Sequence, residues 1–185
     1  FAPGHPYSFL SGPAMRRTDQ PTEPVMAGGL VFYGGSDGKV LALDATDGSE
    51  AWTYWTGGKV YAPPTAWMGR LYVGSCDGHV YCLEMNSGRL VWRFRAAPYA
   101  ENILQAGNFT SRWPVLSGVL VEDGLAYFVA GLVDMQGVHV YAIDAVTSKV
   151  RWHDPEAGRR KSELEPSLTP EGFLCVFGSH LFVQN

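Results

Sequence analysis

From residue 25 onward, apolar and polar side chains alternate with a period of two. Val40, Ala42 and Asp44 fall on one face of an extended run, and Leu41, Leu43 and Ala45 fall on the other. That spacing belongs to a β-strand rather than a helix. Asp37-Gly38 precedes the run and Thr46-Asp47-Gly48 follows it. Both mark tight turns, because glycine reaches positive φ without a Cβ clash. The pattern predicts strands at Val25–Ala27, Leu30–Gly34, Lys39–Asp44 and Glu50–Tyr54, an antiparallel meander closing on Trp52.

The chain then writes this stretch again. SDGKVLALDATDGSEAW (36–52) returns as CDGHVYCLEMNSGRLVW (76–92) and as QGVHVYAIDAVTSKVRW (136–152). Gly38, Leu43, Gly48 and Trp52 map to Gly78, Leu83, Gly88 and Trp92; Val140, Ile143, Asp144 and Trp152 continue the series. One such sheet cannot bury its own apolar face, so repeats of this kind stack on one another. The second unit is predicted at Thr65–Trp67, Arg70–Gly74, His79–Glu84 and Leu90–Phe94.

The fold class is therefore all-β, a segment of a β-propeller built from four-stranded antiparallel blades. Its divisions are an extended leading segment (1–24, with Pro3, Pro6, Pro13, Pro21 and Pro24), blade one (25–55), blade two (62–95), blade three (113–153) and a partial blade four (166–185). Residues 156–165 are polar and are expected to be an exposed connection with a short helical turn. Trp52 to Gly69 spans 17 positions, whereas Trp92 to the matching Gly124 spans 32. About fifteen residues, 97–112, are thus inserted ahead of blade three, and about five more lie between Ala130 and Gly137. Insertions on a rigid scaffold are places where function collects.

Composition narrows the partners. Of the 185 residues 46% are hydrophobic and 17% charged, with a net charge of −4. A nucleic-acid surface needs a basic face, which this chain lacks beyond Arg159-Arg160-Lys161. No apolar run reaches membrane-spanning length, since Val115–Val133 is broken by Glu122 and Asp123. Cys76, Cys82 and Cys175 follow no metal or redox spacing and read as free thiols. The start FAPGHPY and the end LFVQN both read as cuts in a longer protein.

Candidate binding residues are few. Lys39, His79 and His139 occupy equivalent positions at the start of the third strand of three blades, where they are expected to line one rim and meet an anionic ligand; a solvated strand end is the plain alternative. Arg112-Trp113-Pro114 is expected to open the first strand of blade three, and Arg beside Trp is a frequent recognition pair. A core Trp with a surface Arg is the competing reading. No catalytic residue and no metal ligand set emerges: nucleophile elbow, phosphate loop and HExxH are all absent from the sequence.

ALDATDGSEAW, CLEMNSGRLVW and AIDAVTSKVRW resemble the tryptophan-docking motif of the pyrroloquinoline-quinone-type (PQQ-like) β-propeller repeat. Ala42, Asp44, Gly48 and Trp52 match it in blade one, Gly88 and Trp92 in blade two, and Ala142, Asp144, Thr147 and Trp152 in blade three. Cys82 and Glu84 depart from it, as does Ser148 in place of Gly. The run from Ser111 to Ala145 also looks like a segment of exported PQQ-binding-like repeat proteins of planctomycete-type bacteria. The resemblance implies a ring of roughly seven or eight blades, and it gives Trp52, Trp92 and Trp152 a packing role against the next blade. It also implies export to the periplasm or cell surface.

The superfold includes quinoprotein alcohol and glucose dehydrogenases and an assembly scaffold lipoprotein of the BamB type. A quinoprotein needs a carboxylate base, a calcium or lanthanide and commonly an adjacent Cys pair; no position here can be carried over to those roles, and Cys-Cys does not occur. The leading expectation is a non-catalytic binding or scaffolding propeller that holds a protein or glycan partner through its face and the 97–112 insertion. The alternative is part of a PQQ- and calcium-dependent dehydrogenase whose catalytic residues lie elsewhere, and a third is the sensor domain of a larger receptor. The open sides are expected to meet the remaining blades or another copy of the chain.

Overall fold

The computed structural model describes residues 21–105, 108–132, 137–157, 170, 172–178 and 180–183. The expected leading segment up to residue 20, most of the extra residues in 130–137, the helical turn within 156–165 and the Arg159-Arg160-Lys161 run lie outside them. The described residues form strands, turns and loops, and none belongs to a helix.

Three four-stranded antiparallel meanders follow one another. The first is β1 (Val25–Ala27), β2 (Leu30–Gly34), β3 (Lys39–Asp44) and β4 (Glu50–Trp55); the second is β5 (Thr65–Trp67), β6 (Arg70–Ser75), β7 (His79–Glu84) and β8 (Leu90–Arg95). Next comes a separate two-stranded ribbon, β9 (Asn102–Gln105) and β10 (Asn108–Ser111). The third meander is β11 (Leu120–Glu122), β12 (Leu125–Ala130), β13 (His139–Asp144) and β14 (Val150–Asp154). A final pair, β15 (Leu174–Phe177) and β16 (His180–Val183), is tied to the third sheet by a parallel bridge between Ser117 and Gly172.

The turns repeat as faithfully as the strands. The backbone N–H of Gly48, Gly88 and Ser148 donates to the carbonyl of Asp44, Glu84 and Asp144, respectively. All three of these turn residues have positive φ, 74°, 68° and 57°. Just beyond, each sheet slips register by one residue, at Ala42/Leu43, Cys82/Leu83 and Ala142/Ile143. A bulge at one fixed step sharpens the local twist in the same place each time. It also sets Trp52, Trp92 and Trp152 opposite Ala42, Cys82 and Ala142.

The core lies between the sheets. Phe32, Val40 and Ala42 of the first sheet are buried against Leu71, Val73, Tyr81 and Leu83 of the second. Tyr72, Val80 and Cys82 are buried with Phe128, Tyr141 and Ile143 of the third. A smaller cluster joins Val129, Val138 and Val140 to Leu174 in β15. The apolar side of each meander is therefore covered by its neighbour, as the alternation in sequence requires.

Candidate functional site

The repeat residues come first, because they bind the sheets together. The Trp52 indole N–H donates to the Met85 carbonyl at 2.9 Å, in the β7–β8 turn of the next sheet. The Trp92 indole makes the same bond to the Ala145 carbonyl at 3.2 Å, one sheet further on. Trp52 also lies flat over Gly88: a Cβ built there would sit 2.5 Å from the indole ring. Within its own sheet each Trp leans on one aromatic of the second strand, namely Phe32 (5.8 Å between ring centres), Tyr72 (5.9 Å) and Tyr127 (6.3 Å). Trp152 differs only in what lies beyond it, and it is 42% exposed where Trp52 is 8% exposed.

The acidic residues of the repeat are spent locally. Hydrogen bonds from the Thr46 hydroxyl and backbone hold the Asp44 carboxyl below its ordinary pKa. The Thr147 N–H, Arg151 guanidinium and Thr147 hydroxyl hold Asp144 well below the usual carboxylate range. Burial pushes Asp77 up, but hydrogen bonds involving His79 and the Tyr81 hydroxyl outweigh it and leave the group below its ordinary value. Among the described residues no three His, Cys, Asp or Glu side chains converge as metal ligands. Among the described residues the repeat carboxylates Asp37, Asp44, Asp77 and Asp144 are held by hydrogen bonds from their own turns and do not fit a quinone-and-calcium centre.

The inserted residues form the most distinctive site. Residues 97–112 leave β8 and return as the β9–β10 ribbon, with Asn102 opposite Ser111 and Leu104 opposite Phe109. The base of the ribbon is bonded to the second sheet: Ser111 N–H and the Thr110 hydroxyl both donate to the Cys76 carbonyl, at 2.8 and 2.9 Å. Ala96 and Ala97 donate to Gly78. An open cleft of about 220 Å³ lies between ribbon and sheet, lined by Asp77, His79, Arg95, Tyr99 and Asn102 among others. Side chains alternate along a strand, so the exposed Leu104–Phe109 pair shares the ribbon face of the Asn102–Ser111 pair.

A ring stack anchors the other side of the insertion. Trp113 is buried, with Tyr99 edge-on at 4.9 Å and His139 edge-on at 6.3 Å. His139 Nδ1 lies 3.0 Å from His153 Nε2, and His153 stacks on Tyr141 at 4.1 Å. Desolvation lowers the pKa of both histidines; the neighbouring His153 lowers that of His139 further. Arg112 pairs with Glu101 at 2.9 Å and sits 5.4 Å over the Trp113 ring.

Arg112-Trp113-Pro114 does not open the first strand of the third sheet, which begins at Leu120; it follows β10, because the chain must first climb out of the ribbon. Lys39, His79 and His139 do start equivalent strands, yet each meets a different environment. Lys39 caps the Trp55 ring at 5.0 Å, His79 stands beside Asp77 at 3.4 Å in the cleft, and His139 is buried in the ring stack. Tyr99, Asn102, Arg95 and His153 were not expected. The four-residue runs NILQ and NFTS, separated by Ala106-Gly107, were the signal for the ribbon.

Comparison with known proteins follows the fold. Residues 11–170 match the family described as outer membrane protein assembly factor BamB. The chain is 33% identical over 166 residues to the serine/threonine-protein kinase AfsK of Streptomyces griseus, covering 86% of this chain and 18% of that protein. It is 27% identical over 142 residues to quinohemoprotein alcohol dehydrogenase ADH IIB of Pseudomonas putida, covering 70% of this chain and 19% of the enzyme. The chain thus spans under a fifth of the length of these two relatives. The crystal structure of BamB from Moraxella catarrhalis superposes with a TM-score of 0.63 at 20% identity, covering 90% of this chain and 46% of that one. That likeness is one of fold.

Proposed function

Because the chain belongs to the family of the outer membrane protein assembly factor BamB, a family of PQQ-like β-propeller repeats, we propose that it is a binding and scaffolding segment of an exported propeller. Its partner is a protein or a glycan held against the face that carries the β9–β10 ribbon. The observation that carries this reading is the ribbon itself. It is an addition to the repeat, bonded at its base to the Cys76 carbonyl, and it presents Tyr99, Leu104 and Phe109 to solvent at 61%, 69% and 80% exposure. Exposed aromatics on a rigid mount are frequent anchors for partners. Replacing residues 100–111 by a short Gly-Ser linker is expected to abolish partner binding by the intact protein while its far-ultraviolet spectrum stays that of a folded β-sheet protein and its urea midpoint is retained. Unaltered binding after that replacement would overturn the proposal.

The repeat tryptophans take the docking role in this reading, with Trp52 and Trp92 donating to the backbone of the following blade. The exposed face around Trp152 then belongs to the remaining blades of the same protein or to another copy. The likeness to alcohol dehydrogenases favours one other reading, in which the segment helps to build a quinoprotein oxidoreductase and the ligands of the cofactor come from elsewhere in the protein. Quinone absorbance in the purified full-length protein, or dye-linked alcohol oxidation on adding PQQ and calcium, would decide for that alternative.

A further inference from the structure

The cleft beside the ribbon has a chemistry narrower than that of a general contact surface. Its volume of about 220 Å³ is below the roughly 300–1,000 Å³ of sites that engulf a whole small ligand. It has room for one unit of something larger. Asp77 lines the cleft, and its oxygens already accept from the His79 backbone N–H and the Tyr81 hydroxyl. Arg95 lines the cleft and is exposed, and its side chain makes no hydrogen bond or ion pair among the described residues, although its backbone belongs to the β7–β8 ladder. Tyr99 is 61% exposed, yet it is not loose, because its ring meets the buried Trp113 at 4.9 Å and 89°. The methyls of Ala97 and Ala100 complete an apolar wall, and Asn102 adds an amide at the rim.

From this arrangement, and resting on the binding reading above, we infer that the cleft is a subsite for one carboxylate-bearing sugar unit of an acidic glycan. A pyranose ring is a flat amphipathic body: its C–H face packs on an aromatic ring while hydroxyls radiate from its edge. Tyr99 supplies the platform, and its immobilisation by Trp113 lowers the entropy lost on binding. Arg95 pairs with the carboxylate in the fork geometry that a guanidinium favours. Asn102 and the His79 ring meet hydroxyls. A carboxylate from an acidic peptide would satisfy Arg95 but leave the Tyr99 face bare, so the sugar accounts for more of the site.

The test is a titration of the ¹⁵N-labelled full chain, followed by amide shifts, with three probes: trigalacturonate, maltotriose and an acetylated Asp-Glu-Glu peptide. Trigalacturonate is expected to shift amides at residues 77–79, 95–102 and 111, and to bind more tightly than maltotriose. Tyr99→Ala is expected to weaken trigalacturonate about tenfold, and Tyr99→Phe to retain it. Arg95→Gln is expected to bring trigalacturonate down to the level of maltotriose. No shift with trigalacturonate, shifts remote from the cleft, or unchanged affinity in Tyr99→Ala would overturn the inference. If the peptide alone moves the cleft amides, the sugar assignment falls and the binding reading stands. If no probe binds and the linker replacement of residues 100–111 leaves partner binding intact, both fall.

Discussion

Trp52 and Trp152 are the same residue at the same step of the same repeat, in two different situations. Each follows the bulge of its sheet and leans on an aromatic of the second strand. Beyond Trp52 stands the turn of the next sheet, with Gly88 under the ring and the Met85 carbonyl receiving the indole proton. Beyond Trp152 the described residues offer only the β15–β16 pair, which packs on the inner part of the third sheet through Leu174. All five residues of β14 are consequently exposed. Burial of this ring is thus conferred by the neighbour, and a blade completes its core only when another stands beside it.

The largest expected effect comes from removing the two rings in turn. Trp52→Ala is expected to cost about 3–5 kcal/mol, the range for truncating a large buried aromatic. Trp152→Ala should cost roughly half as much, about 2 kcal/mol, because a half-exposed ring gives up less on truncation. Urea unfolding of the two variants measures the difference. Equal losses would mean that Trp152 is covered in solution.

Such covering is itself testable. The Trp152 face, with Val146 and Val150 exposed beside it, is expected to drive concentration-dependent association of the isolated chain, and Trp152→Lys to suppress it. Sedimentation at rising concentration checks this, and a monodisperse monomer throughout would break the comparison.

The turn glycines sharpen it further. Gly48 and Gly88 have similar positive φ values, but a Cβ at Gly48 meets nothing within 4 Å, whereas one at Gly88 strikes the Trp52 ring. Gly48→Ala is expected to cost about 1 kcal/mol for the backbone alone. Gly88→Ala adds an overpacking penalty of about 1–3 kcal/mol. Ser148 occupies the corresponding place in the third sheet at φ 57°. Ser148→Gly should therefore stabilise by about 0.5–1 kcal/mol, read as a rise in the urea midpoint.

The smallest effect is one of pH. Buried His139, and His153, whose ring is partly withdrawn from water by stacking on Tyr141, have folded-state pKa values below the ordinary imidazole value, chiefly through desolvation. The unfolded chain then binds more protons than the folded one in the window just below pH 6.5, so stability falls as the solution is acidified through it. His139→Gln is expected to flatten that slope between pH 7 and 5 in parallel unfolding titrations.

Much of the architecture was legible because it is written locally. Alternation and the Asp-Gly and Thr-Asp-Gly turns placed the strands of the first two sheets within a residue of where they lie. The stacking partners were not legible, because Met85 and Ala145 act through carbonyl groups that every residue has. The ribbon was missed for a different reason. Its strands are four residues long and joined by Ala-Gly, a weaker hairpin signal than Asn-Gly or Asp-Gly. Arg112 and Trp113 were recognised as notable, but their setting depends on that ribbon. His153 meets His139 only through the slipped register of β13 and β14, which no spacing in the sequence announces.

An indole that grips a main-chain oxygen asks nothing of the side chain it lands on. Met85 and Ala145 both accept through the main chain, so the bond itself is indifferent to whether a thioether or a methyl stands there. A gene segment encoding one such unit therefore carries an adhesive already suited to any copy of itself. Duplication can lengthen the array, and one unit can acquire a long excursion such as the ribbon, before any matching change arises next door.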